Sequence, residues 1–381
     1  MPKLFRITTV PISIEKLLGN QLTYMSEFYD VTAISANETE LSRVGKDLGV
    51  KTHAIEMTRK ITPFQDLKSL WLMYVFFKNE KPDIVHTHTP KAGLIGMLAA
   101  KMAGVKTRLH TVAGLPLMET SGAKRKLLNF IEKLTYTCSS KIYPNSYGLR
   151  DFIINEKLCS SKKLKVIGNG STNGIDTEYF NPNLFSEEEK QNLRNELGLS
   201  QNDFVFIFVG RLVKDKGINE LVSAFKQIIS ESNHPTLKLL LVGSMEEDLD
   251  PLLPETMKEI ESNNNIISVG FQKDVRHYFA ISHVLAFPSY REGFPNVVMQ
   301  AGAMGLPAIV SDINGCNEII EENKNGMIVP VKDEVILKNM MQSILSNHSK
   351  YKSMAENARP MIVTRYQQLL IWEDLRKEYK I

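Results

Sequence analysis

FVFIFVGRLVKDKG, residues 204–217, is the stretch that decides the fold. Phe204–Val209 reads as an apolar strand. It ends in Gly210, a loop carries Arg211, Lys214, Asp215 and Lys216, and Gly217 leads into a helical pattern from Ile218. Glycine at the strand end lets a backbone approach a ligand closely. Arg211 offers a bidentate fork to phosphate and Lys216 a point charge, so a strand-to-helix loop of this composition suits a diphosphate. The plainer alternative is a solvated basic loop.

Outward from this stretch, strands and helices alternate. Upstream lie candidate strands Leu4–Thr9, Val31–Ser35, Asp83–Thr87, Arg108–Thr111, Lys141–Pro144 and Lys165–Ile167. Helical patterns lie between them at Pro63–Lys78, Ala92–Met102, Ala123–Thr137 and Tyr147–Asn155. Residues 169–183, NGSTNGIDTEYFNPN, have the composition of turns and loops. Downstream, strands are expected at Phe204–Val209, Lys238–Val242, Ile266–Val269, Val284–Phe287, Ala308–Val310 and Gly326–Val329. Alternation of this kind specifies parallel sheets covered by helices on both faces. The 381 residues suffice for two such domains. The expected division is 1–176, 177–355, and a helical segment 356–381 packing across both domains. Ligands of these sheets bind beyond the carboxyl ends of the strands, so a cleft between two domains is the natural site.

Composition narrows the classes. Hydrophobic residues make up 43% and charged residues 23%, as in ordinary globular proteins. Three cysteines with no CxxC spacing argue against a disulfide framework and fit a reducing, cytoplasmic setting. The N-terminus does not read as a secretory signal, and the longest apolar runs are too short to span a bilayer. The net charge of +3 hides an asymmetry: residues 1–176 hold 25 Lys and Arg against 15 Asp and Glu, while residues 177–381 hold 21 against 28. A basic half points to an anionic partner. No recognised nucleic-acid-binding pattern is present, and the GxGxxG of a dinucleotide dehydrogenase is absent.

The second chemical motif is PSYREGFPNVVMQAGAMGLPAIVSDINGCNEII, residues 288–320. A strand ends at Phe287, Glu292-Gly293-Phe294-Pro295 follows, and a helix begins near Asn296. A helix N-terminus presents free N–H groups and a positive dipole end to an anion. Glu292 repels phosphate and is suited to accept hydrogen bonds from sugar hydroxyls. Gln300, about two turns down the helix, carries an amide able to bond a ribose diol. His86 and His88 flank the end of another strand without a nearby third ligand, so no metal is expected there.

GRLVKDKG together with YREGFPNVVMQAGAMGLPAIVSD resembles the retaining glycosyltransferases of family 4. The likeness extends over nearly the whole chain, through VHTHTPKAG (85–93), HTVAGLP (110–116), PNS (144–146) and NGID (173–176). It implies the GT-B fold: α/β, two Rossmann-like doubly wound domains facing a cleft, with a C-terminal helix crossing between them. It implies that Arg211 and Lys216 bind the diphosphate of a nucleotide-sugar donor, most often a UDP-sugar, and that no cofactor or metal is needed. Glu292 matches the first Glu of the family's E-x7-E motif, which contacts the donor sugar. Gly210 lies beside the donor, and Gly293, Phe294, Pro295, Asn296 and Val297 form the loop that offers N–H groups to donor sugar and phosphate. His110 matches a histidine beside the donor sugar.

Two positions depart from the family pattern. Gln300 stands where a second Glu usually binds ribose, which costs the contact its charge-assisted strength. The loop TTVPISIEKLLGN (8–20) has Gly19 as its only glycine where many members are glycine-rich. Thr87, Thr89 and Lys91 suit an anionic acceptor group. Lys124 and Arg125 stand in the basic, apolar stretch GAKRKLLNFIEKL (122–134), which with residues 57–78 suits a membrane interface. Within the family the chain looks most like the bacterial enzymes of capsule, O-antigen and glycan assembly. That likeness implies a glycan acceptor carried on a polyprenyl diphosphate, and work at the inner face of the cytoplasmic membrane. Two rival readings keep the same fold: a nucleotide-sugar 2-epimerase, and a nucleotide-sugar-binding subunit without turnover.

Overall fold

The computed structural model describes residues 1–115, 117, 120–232, 236–246 and 250–379. Pro116 of the HTVAGLP motif and residues 380–381 of the C-terminal segment lie outside the described residues. The chain forms two compact units, Met1–Gly174 with Gln368–Ile381, and Ile175–Gln367.

The first unit is built on a six-stranded parallel sheet of β1 (Lys3–Ile7), β2 (Asp30–Ser35), β3 (Lys51–Ala54), β4 (Ile84–Thr87), β5 (Thr107–Val112) and β6 (Lys141–Pro144). Its order is β3-β2-β1-β4-β5-β6. The second unit holds β7 (Phe204–Val209), β8 (Leu237–Val242), β9 (Ile266–Ser268), β10 (Val284–Phe287), β11 (Ala308–Ser311) and β12 (Gly326–Val329), in the order β12-β11-β10-β7-β8-β9. Counted within its own unit, each sheet runs 3-2-1-4-5-6, the Rossmann order. The chain leaves the first strand in one direction and returns on its other side. Strand neighbours β1 and β4, and likewise β7 and β10, therefore send their following loops apart and open a crevice at their carboxyl ends.

The second unit's central strands β7 and β10 are apolar throughout because helices cover both faces. Phe206, Ile207 and Phe208 of β7 and Val284–Phe287 of β10 are buried. Edge strands are less apolar, which explains the strand that sequence pattern overlooks. β3 reads KTHA and is partly exposed along its length. The expected strand Lys165–Ile167 does not form. Leu164 makes one bridge to Ile142, and the chain then turns at Gly168 with φ +54°.

The expected C-terminal segment 356–381 is divided between the units. A helix, His348–Tyr366, belongs to the second. At Gln367 the backbone becomes extended, with ψ 135°, and a new helix, Gln368–Glu378, belongs to the first. There it buries Ile371, Trp372 and Leu375. Trp372 Nε1 donates to Asn173 Oδ1 at 2.6 Å, and the Tyr379 hydroxyl bonds His86 Nδ1. Glu378 pairs with Lys141 and Lys165.

In the first unit the helices Pro63–Glu80, Pro90–Ala103 and Gly122–Cys138 pack side by side. The Pro63–Glu80 helix buries Met73 and Phe77 but leaves Phe64 92%, Leu67 65% and Trp71 60% exposed, a row at helical spacing beside Lys68. On the Gly122–Cys138 helix, Leu127 and Phe130 are exposed near Lys124 and Lys126. No helix among the described residues is long and apolar enough to cross a membrane.

Candidate active site

In the second unit the two motifs meet at the carboxyl ends of β7 and β10. Gly217 makes this possible. It adopts φ +70° at the end of the short Lys214–Lys216 turn, and a Cβ there would come within 2.1 Å of the Pro288 carbonyl oxygen. Any other residue would push the β7 loop away from the β10 loop. The close approach sets Lys216 Nζ 2.5 Å from Glu292 Oε1, with both side chains mostly buried. The fully buried Ser289 hydroxyl lies 3.1 Å from the same carboxylate oxygen. Across the same junction, Tyr290 N donates to the Asp215 carbonyl at 2.8 Å, and the Arg291 guanidinium pairs with the Asp215 carboxylate at 2.9 Å.

The Gly293–Pro295 loop is held from behind. Asn314 Nδ2 donates to the Gly293 carbonyl at 2.7 Å. Gly315, at φ +76°, lies so close that a Cβ would come within 2.7 Å of that oxygen and 2.8 Å of Phe294 Cα. Phe294 packs on Tyr366, with ring centroids 5.5 Å apart. Pro295 is buried and precedes the Asn296–Ala303 helix, whose first residue, Asn296, is exposed. Val297 and Gln300 are half-buried on that helix.

Arg211 stands at the end of β7 and is 46% exposed, paired with Glu246 at 2.6 Å. Gly210, at φ +152°, carries its carbonyl against Gly243, where a Cβ would come within 1.7 Å. The second unit thus brings together Gly210, Arg211, Lys216, Glu292 and the Gly293–Val297 loop, with Gln300 on the helix that follows. Both cations already hold a carboxylate each. Glu246, Ser289, Asn314 and Gly315 are the supporting residues that motif spacing alone does not reveal.

The first unit's expected residues are placed differently. His110 is buried in β5, two residues before the strand's end, and its Nδ1 lies 2.7 Å from Thr87 Oγ1. Burial holds its pKa down to about 4, so the ring is neutral at physiological pH. Gly93 abuts the ring, where a Cβ would come within 2.5 Å of Cε1. Thr87 is fully buried, and its hydroxyl lies against His110 Nδ1 rather than open to an acceptor. Lys91 is likewise engaged, pairing with Asp66 at 2.7 Å with only 12% of its side chain exposed. Thr89 Oγ1 lies 2.7 Å from Thr9 Oγ1 and ties the β1 and β4 loops together. Arg125 braces its own helix, bonding the Leu117 carbonyl at 2.7 Å and Glu156 at 2.9 Å, whereas Lys124 is exposed. Gly19, at φ +47°, ends the Ile14–Leu18 helical turn in the loop after β1.

Beneath this region Arg6 is fully buried. Its Nε donates to His88 Nε2 at 3.0 Å and its Nη2 to Gln21 Oε1. Burial and the Arg6 charge push the pKa values of His86 and His88 well below the ordinary histidine range.

Residues 189–361 match the family "Glycosyl transferases group 1", and residues 22–170 match "Glycosyl transferase 4-like domain". The chain is 33% identical over 377 residues to the "Capsular polysaccharide biosynthesis glycosyltransferase CapM" of Staphylococcus aureus, covering 99% of this chain and 96% of that one. It is 29% identical over 367 residues to an Escherichia coli "UDP-Gal:alpha-D-GlcNAc-diphosphoundecaprenol alpha-1,3-galactosyltransferase", covering 96% and 91%. Among solved structures, Anabaena HepE in complex with UDP has a TM-score of 0.80 at 18% identity, covering 100% of this chain and 99% of that one. A Rickettsia africae glycosyltransferase has a TM-score of 0.81 at 19% identity, covering 100% and 98%. Two Rossmann-order units, the motifs at their strand ends and a full-length relative at this identity lead to one conclusion: the chain belongs to the family 4 retaining glycosyltransferases, with the GT-B fold.

Proposed function

We propose that this enzyme moves a sugar from a UDP-sugar to a glycan acceptor carried on a polyprenyl diphosphate, in the synthesis of a bacterial surface polysaccharide. The observation that carries the proposal is the Lys216–Glu292 contact at the end of β7 and β10, on a chain whose full-length relatives include CapM and the E. coli enzyme named above. Lys216 and Arg211 take the donor diphosphate, aided by the N-terminus of the Asn296–Ala303 helix. Glu292, released from Lys216, accepts hydrogen bonds from the donor sugar, and Gln300 bonds the ribose. As the diphosphate leaves, charge grows on its oxygens. Donors already fixed in place stabilise that charge without reorganising. A departing phosphate oxygen takes the proton of the attacking hydroxyl, which then bonds to the anomeric carbon from the side the diphosphate leaves. This route needs no side-chain nucleophile and retains configuration.

The exposed Phe64, Leu67, Trp71 and Phe130 with Lys68, Lys124 and Lys126 support docking of the first unit on an anionic membrane face, where a lipid-linked acceptor resides. The test is incubation with UDP-glucose, UDP-galactose and their N-acetyl counterparts plus short-chain polyprenyl-diphosphate-linked sugars. A glycosylated lipid is expected from at least one pair. Interconversion of the nucleotide-sugar without acceptor points instead to an epimerase, and UDP binding with no turnover on any pair to a binding subunit.

A further inference from the structure

Two ion pairs, side by side, join the Lys214–Lys216 turn after β7 to the loop after β10. Asp215 and Lys216 are neighbours on the turn, Arg291 and Glu292 on the loop. Asp215 pairs with Arg291 and Lys216 with Glu292, so the two pairs form rungs of opposite polarity. The rungs are built differently. Lys216 Nζ reaches Glu292 Oε1 alone. Arg291 directs two N–H groups onto Asp215 Oδ2, Nε at 3.1 Å and Nη2 at 2.9 Å. Charge-assisted bonds from a planar guanidinium fix direction as well as distance.

The backbone around the Asp215–Arg291 rung is also held. Asp215 N donates to Asp250 Oδ2 at 2.7 Å, and the Asp215 carbonyl accepts from Tyr290 N. The Tyr290 hydroxyl donates to Glu220 Oε1 at 2.5 Å, on the Ile218–Ser232 helix that follows the turn. Asp215 is thus fixed at its N–H, its carbonyl and its carboxylate, and its side chain is only 18% exposed.

A donor diphosphate that takes Lys216 breaks the Lys216–Glu292 rung. Glu292 then needs another restraint to stay against the donor sugar. The Asp215–Arg291 rung holds no group assigned to the donor, so it persists when the donor binds. We propose that Asp215 and Arg291 are positioning residues: their pair keeps the β10 loop in register with the β7 loop once Lys216 turns to the diphosphate, and so holds Glu292 on the donor sugar. A misplacement of about 1 Å can lower a reaction rate about a hundredfold. The inference rests on the transferase reading above.

The experiment uses the full chain as wild type, Asp215→Asn, Arg291→Ala, Arg291→Lys and the double variant Asp215→Asn/Arg291→Ala. Calorimetry measures affinity for UDP and for UDP-glucose, UDP-galactose and their N-acetyl counterparts. UDP affinity is expected to be the same in all five proteins. For the UDP-sugar that the wild type binds best, each of Asp215→Asn and Arg291→Ala is expected to lose about tenfold relative to UDP. The double variant is expected to lose about tenfold as well, not a hundredfold, because the two residues act through one contact. Arg291→Lys is expected to recover most of the loss, since both Arg291 N–H groups meet a single oxygen that an ammonium can also reach. A merely structural brace would weaken UDP and UDP-sugar alike. Equal weakening of the two therefore overturns the inference, as do unchanged UDP-sugar affinities or additive losses in the double variant. Failure of UDP to bind the wild type overturns the transferase reading, and this inference with it. Asp215→Asn keeps the side chain's shape, so the outcome stands even where Arg291→Ala does not fold.

Discussion

The two units share one strand order and use it in opposite ways. At the β7/β10 crevice the charged groups sit on two short loops locked together by Gly217 and Gly315. Lys216 and Arg211 each hold a carboxylate that a diphosphate can displace. At the β1/β4 crevice the cation, Arg6, is fully buried, and among the described residues it donates to the neutral His88 and Gln21. Its neighbourhood is a set of uncharged histidines around a cavity. The comparison teaches that topology fixes where a ligand binds, while the residues at the strand ends decide what kind. One crevice is equipped for a concentrated negative charge, the other for neutral polar groups.

The largest expected effect lies in the second unit. Lys216→Ala and Arg211→Ala should each lower transfer by about a hundredfold or more, with melting temperature little changed, because fixed donors to a growing anion contribute most in the transition state. Glu292→Gln should also cripple transfer. Near-normal turnover in these variants removes them from the site. The mirror experiment, Lys124→Ala in the first unit, should leave UDP affinity unchanged.

Acid should weaken the first unit more than the second. His110 is held at about 4, against about 6.5 in an unfolded chain, and His86 and His88 are also held well below the ordinary value. The unfolded state binds their protons first, so the stability they contribute is present above about pH 6.5 and is lost as pH falls toward about 4. For His110 alone this is of the order of 3 kcal/mol. The second unit has His283, also held at about 4. Glu132 runs the other way: its raised pKa makes its contribution fade as pH rises through about 7, which offsets one histidine. Hydrogen exchange at pH 7 and pH 5, corrected for intrinsic rates, should show β4 and β5 losing more protection than β7 and β10. Equal losses contradict the contrast.

Smaller effects concern the rims. Replacing Phe64 and Trp71 together by Ser should weaken binding to anionic vesicles by about tenfold or more, since each ring buries substantial apolar area on insertion. Raising salt should weaken it further. Indifference to both removes the membrane face. Smallest of all, Glu246→Gln should tighten UDP binding a few-fold by freeing Arg211 from a half-exposed pair, a contact of modest strength.

What was legible in the sequence follows the same divide. The second unit's site is local: Gly210–Gly217 and Glu292–Gln300 are contiguous runs on a strand end, a turn and a helix start, so spacing reveals them. The first unit's buried polar cluster is assembled from Arg6, Gln21, His88, His110, Glu132 and Tyr379, which come from five elements and the C-terminal segment. No periodicity links them, and Thr87 and Lys91 looked like free ligands because their partners, His110 and Asp66, are distant in sequence. The edge strand β3 was missed for lack of apolar residues, and the helix break at Gln367 carries neither glycine nor proline to announce it.

One measurement bears most directly on the central claim. Wild-type enzyme and Lys216→Ala are incubated with a UDP-sugar and a polyprenyl-diphosphate-linked acceptor, and the anomeric configuration of the lipid-linked product is read by NMR. The account predicts an α-linked product from an α-linked donor, formed about a hundredfold more slowly by Lys216→Ala. An inverted, β-linked product, or equal rates from the two proteins, would contradict it.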